Sequence, residues 1–167
     1  MGFSEQYYRV KRYLKRLEGS EGTQVDFNDN MWSFFQNCYH LKDWIINDPS
    51  IDKTKIDPGV FINQNEELRI CSSLANRTKH SELDNRFRNS GRNVDNPIIA
   101  GQGVTIRPGP VGGVSEPTIY HTRILLSDGS EREALDVAKK AVIAWEEYFK
   151  QNGLKLEKEK PFYGTIG

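Results

Sequence analysis

The stretch that decides the fold reads MWSFFQNCYHLKDWII from Met31 to Ile46, and it is answered by NEELRICSSLANRTKH from Asn65 to His80. On a helix turning about 100° per residue, Met31, Phe34, Cys38, Leu41 and Ile45 gather within roughly 100° of one another, the apolar stripe of a core-facing helix. Leu68, Cys71, Leu74, Ala75 and Thr78 make a matching stripe on the second segment. Two helices with such stripes can share one core. His40 and Asp43 point away from the first stripe, about 60° from each other, and Asn76 and His80 leave the second on its far side.

Working outward, the connection NDPSIDKTKIDPGVFINQ contains Pro49, Pro58 and Gly59, so no long helix passes through it. Asn63 followed by Glu66 has the spacing of a capping box and predicts the start of the second helix. Upstream, Ser4 is placed as the N-cap of a first helix to about Leu17, with Phe3, Tyr7, Val10, Leu14 and Leu17 on one side. Arg9, Lys11, Arg12, Lys15 and Arg16 share the other side, which reads as a solvated surface or as a phosphate-contacting face. Gly19 to Gly22 ends that helix, and Asn28 or Asp29 is expected to cap the next.

Downstream, Ser81 to Asn96 is a long polar excursion. Ile98 to Arg107 and Thr118 to Leu126 have strand character, and PGPVGGVSEP between them rules out regular structure, so the pair predicts a hairpin over about 98–126 with a wide tip. Ser130 with Glu133 predicts the cap of a last helix whose apolar face is Leu135, Ala138, Ala141, Val142, Trp145, Tyr148 and Phe149, with Gly153 as its stop. The tail over 154–167 is expected to fray or to dock. The fold class is therefore mainly α (α+β): one domain over 1–167, a bundle of about four helices with a β-hairpin inserted before the last.

Composition narrows the function classes. The chain has 167 residues, 37% hydrophobic and 28% charged, which suits a globular domain that buries a core without staples. Lys+Arg 23 balance Asp+Glu 23, so no global field draws in nucleic acid or an anionic membrane, and any such contact is local. The two cysteines lie on apolar stripes, as small buried hydrophobes of a reducing compartment do, with a disulfide as the alternative. No apolar run is long enough to span a bilayer and no signal region precedes the first helix, so the expected location is cytoplasmic, away from membranes.

The polar constellation is His40 and Asp43 on one helix with Asn76, Arg77, Lys79 and His80 at the end of the other. Three chemistries are compatible with it. His40 and Asp43, joined by His121 from the hairpin, would hold a divalent metal, although no HExxH or ExxH pair is present. Alternatively His80 acts as a general acid/base while Lys79 or Arg77 stabilises charge on a phosphodiester. The third reading is structural, with His40 bonded to Asp43 and the last-turn Lys79 and His80 meeting the negative end of their helix. Trp32, Tyr39 and Trp44 are read as flanking one outer side of the first helix, which implies a covering layer or a partner.

The pieces FFQNCYHLKDWI and LRICSSLANRTKH resemble a pattern of uncharacterised bacterial and phage-type proteins that pair an HLKDW helix with a helix ending in KH. The layout is also similar to the HEPN superfamily of small helical bundles, many of them ribonucleases that dimerise. That resemblance implies a bacterial bundle protein, with RNA as a possible partner. Its nucleases place several residues between Arg and His, whereas only Thr78 and Lys79 separate Arg77 from His80 here. The expectation is thus a non-enzymatic module, without a cofactor, that binds a protein partner or itself through Trp32, Tyr39, His40, Asp43, Trp44, Asn76 and the hairpin tip. The alternatives are an RNA-binding protein or ribonuclease using His80 with Lys79 or Arg77, and a divalent-metal-binding bundle.

Overall fold

The computed structural model describes residues 2–19, 22–79, 98–106 and 118–160, with the backbone alone at 78–79, 98–106 and 118–119. Its elements are α1 (Phe3–Glu18), α2 (Gln24–Asn47), α3 (Pro58–Gln64), α4 (Glu66–Lys79), β1 (Ile98–Ile106), β2 (Thr118–Leu125), β3 (Glu131–Glu133) and α5 (Ala134–Gln151). The chain is a mainly helical bundle with an antiparallel hairpin before the last helix. The short β3 adds a third strand, in the order β1-β2-β3.

α1 and α2 bury the stripes their sequences mark, and α5 buries its own except for Leu135, which is only partly covered. Phe3, Tyr7, Val10, Leu14 and Leu17 of α1 are buried, and Met31, Phe34, Cys38, Leu41 and Ile45 of α2 have no exposed surface at all. α1 and α4 both pack on α2, and α5 touches α1, α2 and α4. Trp145 sits at the centre, and its indole N–H donates to the Cys38 carbonyl at 3.2 Å, the acceptor that a buried indole requires. Phe3 and Tyr7 meet Phe149 edge-on, with ring centroids 5.2 and 5.4 Å apart.

α4 departs from the amphipathic expectation. Every residue from Ile70 to Ala75 is buried, including Ser72 and Ser73, so the helix is covered on more than one side. α2, α3 and α5 all pack against it. A stripe pattern predicts one buried face, and here α3, formed within the proline-containing connection, helps cover another.

The helix ends differ from the expected caps, and the reasons are physical. α1 begins before Ser4 because the Asp48 carboxylate, just past the end of α2, accepts the Phe3 N–H at 3.0 Å. The Ser4 hydroxyl instead accepts the Glu157 N–H at 3.0 Å. α2 starts ahead of Asn28 and Asp29 because Thr23 and Asp26 form a reciprocal capping box. Asn63 lies inside α3, and Asn65 caps α4 through its side-chain oxygen, 3.0 Å from the Leu68 N–H. Glu133, not Ser130, caps α5 by accepting the Asp136 N–H at 2.8 Å; Ser130 donates both its N–H and its hydroxyl to Asp128 in the preceding turn.

β1 and β2 pair from Ile98↔Leu125 to Ile106↔Thr118, with an irregularity between Ile99 and Gly101. Ile124 and Leu126 enter the core, and Tyr120 donates to the Gly22 carbonyl at 2.9 Å, fastening the sheet to the turn before α2. Gly153, at φ +64, takes the left-handed conformation that stops α5. Part of the tail then docks: Tyr8 donates to the Glu157 carbonyl at 2.9 Å and Arg12 reaches Glu159 at 2.5 Å. The rest of the tail, residues 161–167, lies outside the described residues. None of the described helices is long and apolar enough to cross a membrane.

Candidate functional site

α2 presents His40 and Asp43 together on its outer face, as their spacing predicts. The imidazole Nδ1 lies 3.3 Å from the Asp43 Oδ2, and both side chains are about half exposed, at 56% and 50%. In that setting the pair carries little energy, because water solvates each partner nearly as well. Among the described residues no three His, Cys, Asp or Glu side chains gather into a metal-holding group. His121 stands on β2, opposite Gly103 of β1.

The three aromatics do not share one side. Tyr39 and Trp44 are about 140° apart on the α2 surface, five residues of helical rotation. Trp44 turns toward α1, where the Arg9 guanidinium lies 5.9 Å from its ring centroid. The same guanidinium donates to Gln6 Oε1 at 2.9 Å, and the buried Gln6 amide donates in turn to the Asn37 carbonyl and side-chain oxygens at 2.9 and 3.1 Å. Trp44 therefore belongs to a polar seam between α1 and α2. On the other flank, Lys42 folds back on Tyr39, with its ammonium 2.8 Å from the phenol oxygen and 4.2 Å from the ring centroid. Trp32, Tyr39 and Trp44 are all partly buried and packed against the core.

The second constellation reaches the edge of the described chain. Asn76 and Arg77 are half-buried near the end of α4, and Lys79 is its last residue. His80, the excursion that follows it and the hairpin tip lie outside the described residues.

The basic face of α1 is largely engaged within the fold. Arg9 approaches Glu5 at 3.9 Å, Lys11 approaches Glu146 at 3.6 Å, Arg12 binds Glu159, and the Arg16 guanidinium lies 4.9 Å from the Tyr13 ring centroid. These neighbours reduce the positive potential that the sequence displays there.

Three features escaped the sequence reading. Tyr7 donates a short hydrogen bond to Glu146, which also receives Lys11. Burial pushes the Tyr7 phenol above its ordinary range, and the acceptor and charge of Glu146 add to the effect, so Tyr7 stays a neutral donor. Tyr148 is pushed up to about 12 by burial and the charge of Asp57; its hydroxyl is buried with no partner among the described residues, beside Phe61 at a ring distance of 4.7 Å. No local sequence signal announces contacts between residues so far apart in the chain.

The third feature is the edge of the sheet. β3 closes one side with three residues, all charged, which is how native edges are blunted. β1 forms the other side with nine residues, IIAGQGVTI, and contains neither a charge nor a proline. No described strand pairs with its second edge. The irregularity near Ile99 leaves Gly101 to Ile106 in unbroken register with β2. The strand itself was legible, but its place at the edge depends on the three-strand order. No family model, curated protein or solved structure matches this chain.

Proposed function

We propose that the protein is a binding module that self-associates by strand addition along β1. The observation that carries this reading is the uncharged nine-residue edge of a three-stranded sheet. An unpaired edge offers a row of N–H and C=O groups as a template for another strand. A second copy suits it because antiparallel pairing of β1 with itself obeys a twofold axis, and a strand without charge brings no like charges face to face. Two sheets would then join as β3-β2-β1-β1-β2-β3.

The test is light scattering after size exclusion over a range of concentrations, with the parent beside a Gln102→Lys/Thr105→Lys double variant. Residues three apart lie on opposite faces of a strand, so each face receives one charge. The expected result is a parent mass twice 19.2 kDa and a variant of single mass with unchanged helical content. A parent that remains monomeric at every concentration would remove the proposal.

A further inference from the structure

Cys38 of α2 and Cys71 of α4 face each other across the seam between their helices. Both thiols are free and neither has any exposed surface. The two side chains lie close enough to interact in the interior where α2 and α4 pack. The Trp145 indole donates to the Cys38 carbonyl at 3.2 Å, so the backbone that presents this sulfur is itself held. Burial pushes the Cys71 thiol well above its ordinary range, and Cys38 and the charge of Glu67 push it further. A protonated, buried thiol is a poor nucleophile, so the closed core preserves the reduced pair.

We propose that Cys38 and Cys71 are a latent disulfide, closed by a small-molecule disulfide oxidant when α4 loosens from α2. Local opening lets solvent and oxidant reach the seam and allows one cysteine to lose its proton. That thiolate attacks one sulfur of a glutathione-type disulfide, forming a mixed disulfide and expelling one small thiolate. As the helices close, the second cysteine, deprotonated to solvent, attacks the protein-side sulfur of the mixed disulfide and expels the second small thiolate. The protein pair loses two hydrogens and two electrons in all, and the oxidant is reduced to two thiols. The new bond bolts α4 to α2 and restrains the unfolded chain across the α3 connection.

The test treats the full-length protein with oxidised glutathione at mildly alkaline pH, both well below and just below its melting temperature. Thiols are then counted in denaturant, and the digest is searched by mass for a Cys38–Cys71 link. The expected result is a fall from two free thiols to none, faster near melting, with one intramolecular link and a melting temperature several degrees higher, all reversed by dithiothreitol. Cys38→Ser is expected to yield only a glutathione adduct on Cys71, without the rise in melting temperature. Two thiols that persist even near melting, or products confined to glutathione adducts and links between chains, would overturn the proposal.

Discussion

Asp48 shows how one side chain can organise two helix ends. Its Oδ2 accepts the Phe3 N–H at 3.0 Å and its Oδ1 accepts the Ser50 N–H and hydroxyl at 2.9 and 2.6 Å. A Cβ on Gly2 would come within 2.7 Å of the same carboxylate, so glycine makes the close approach possible. Burial by itself would raise the Asp48 pKa, but the bonds from Ser50 and Phe3 stabilise the anion and hold it below the ordinary value. A carboxylate lowered on folding contributes stability above its unfolded pKa, about 4, and loses it as pH falls through the folded value. Asp48→Asn, which keeps an acceptor but no charge, is expected to cost about 1 kcal/mol at neutral pH. The gap between variant and parent should narrow below about pH 4, as protonation removes the same charge from the parent. Thermal melts of both proteins from neutral to acid pH measure this directly.

At the scale of elements, the seam between α1 and α2 assigns Trp44 an internal task. Trp44→Ala is expected to lower stability by about 2 kcal/mol, through lost apolar burial and the lost stacking of Arg9. Because the ring faces α1 within one chain, mass by light scattering should not change, whereas urea denaturation should show the loss. The stripes of α1, α2 and α5 were legible because periodic burial is written locally, residue by residue. The His40–Asp43 pair was legible for the same reason, being one helical turn apart. The caps were misread where the acceptor comes from elsewhere: nothing around Ser4 announces that Asp48 will start α1. Nor could one stripe on α4 reveal burial on several sides, since α3 and α5 supply the other covers. Tyr39 and Trp44 were placed together by proximity in sequence, although helical rotation separates them.

At the scale of the whole molecule, α1 is held by α2, by α5 and by the segment after Gly153. A chain ending at Gly153 would lose the Glu157 bonds to Ser4 and Tyr8 and the Glu159 pair with Arg12. Such a truncation is expected to lower the melting temperature by several degrees while circular dichroism retains the helices; an unchanged melt would show that these contacts contribute nothing net. The docked segment also has a consequence for biosynthesis. A polypeptide leaves the ribosome amino end first, so α1 emerges long before Phe149, Glu146 and Glu157 exist to receive Phe3, Tyr7 and Tyr8. During that interval its apolar face must rest on α2 alone or on a chaperone. α1, made before the other described helices, is thus among the last to be fully enclosed, and its cover is complete only when α5 and the segment after Gly153 arrive.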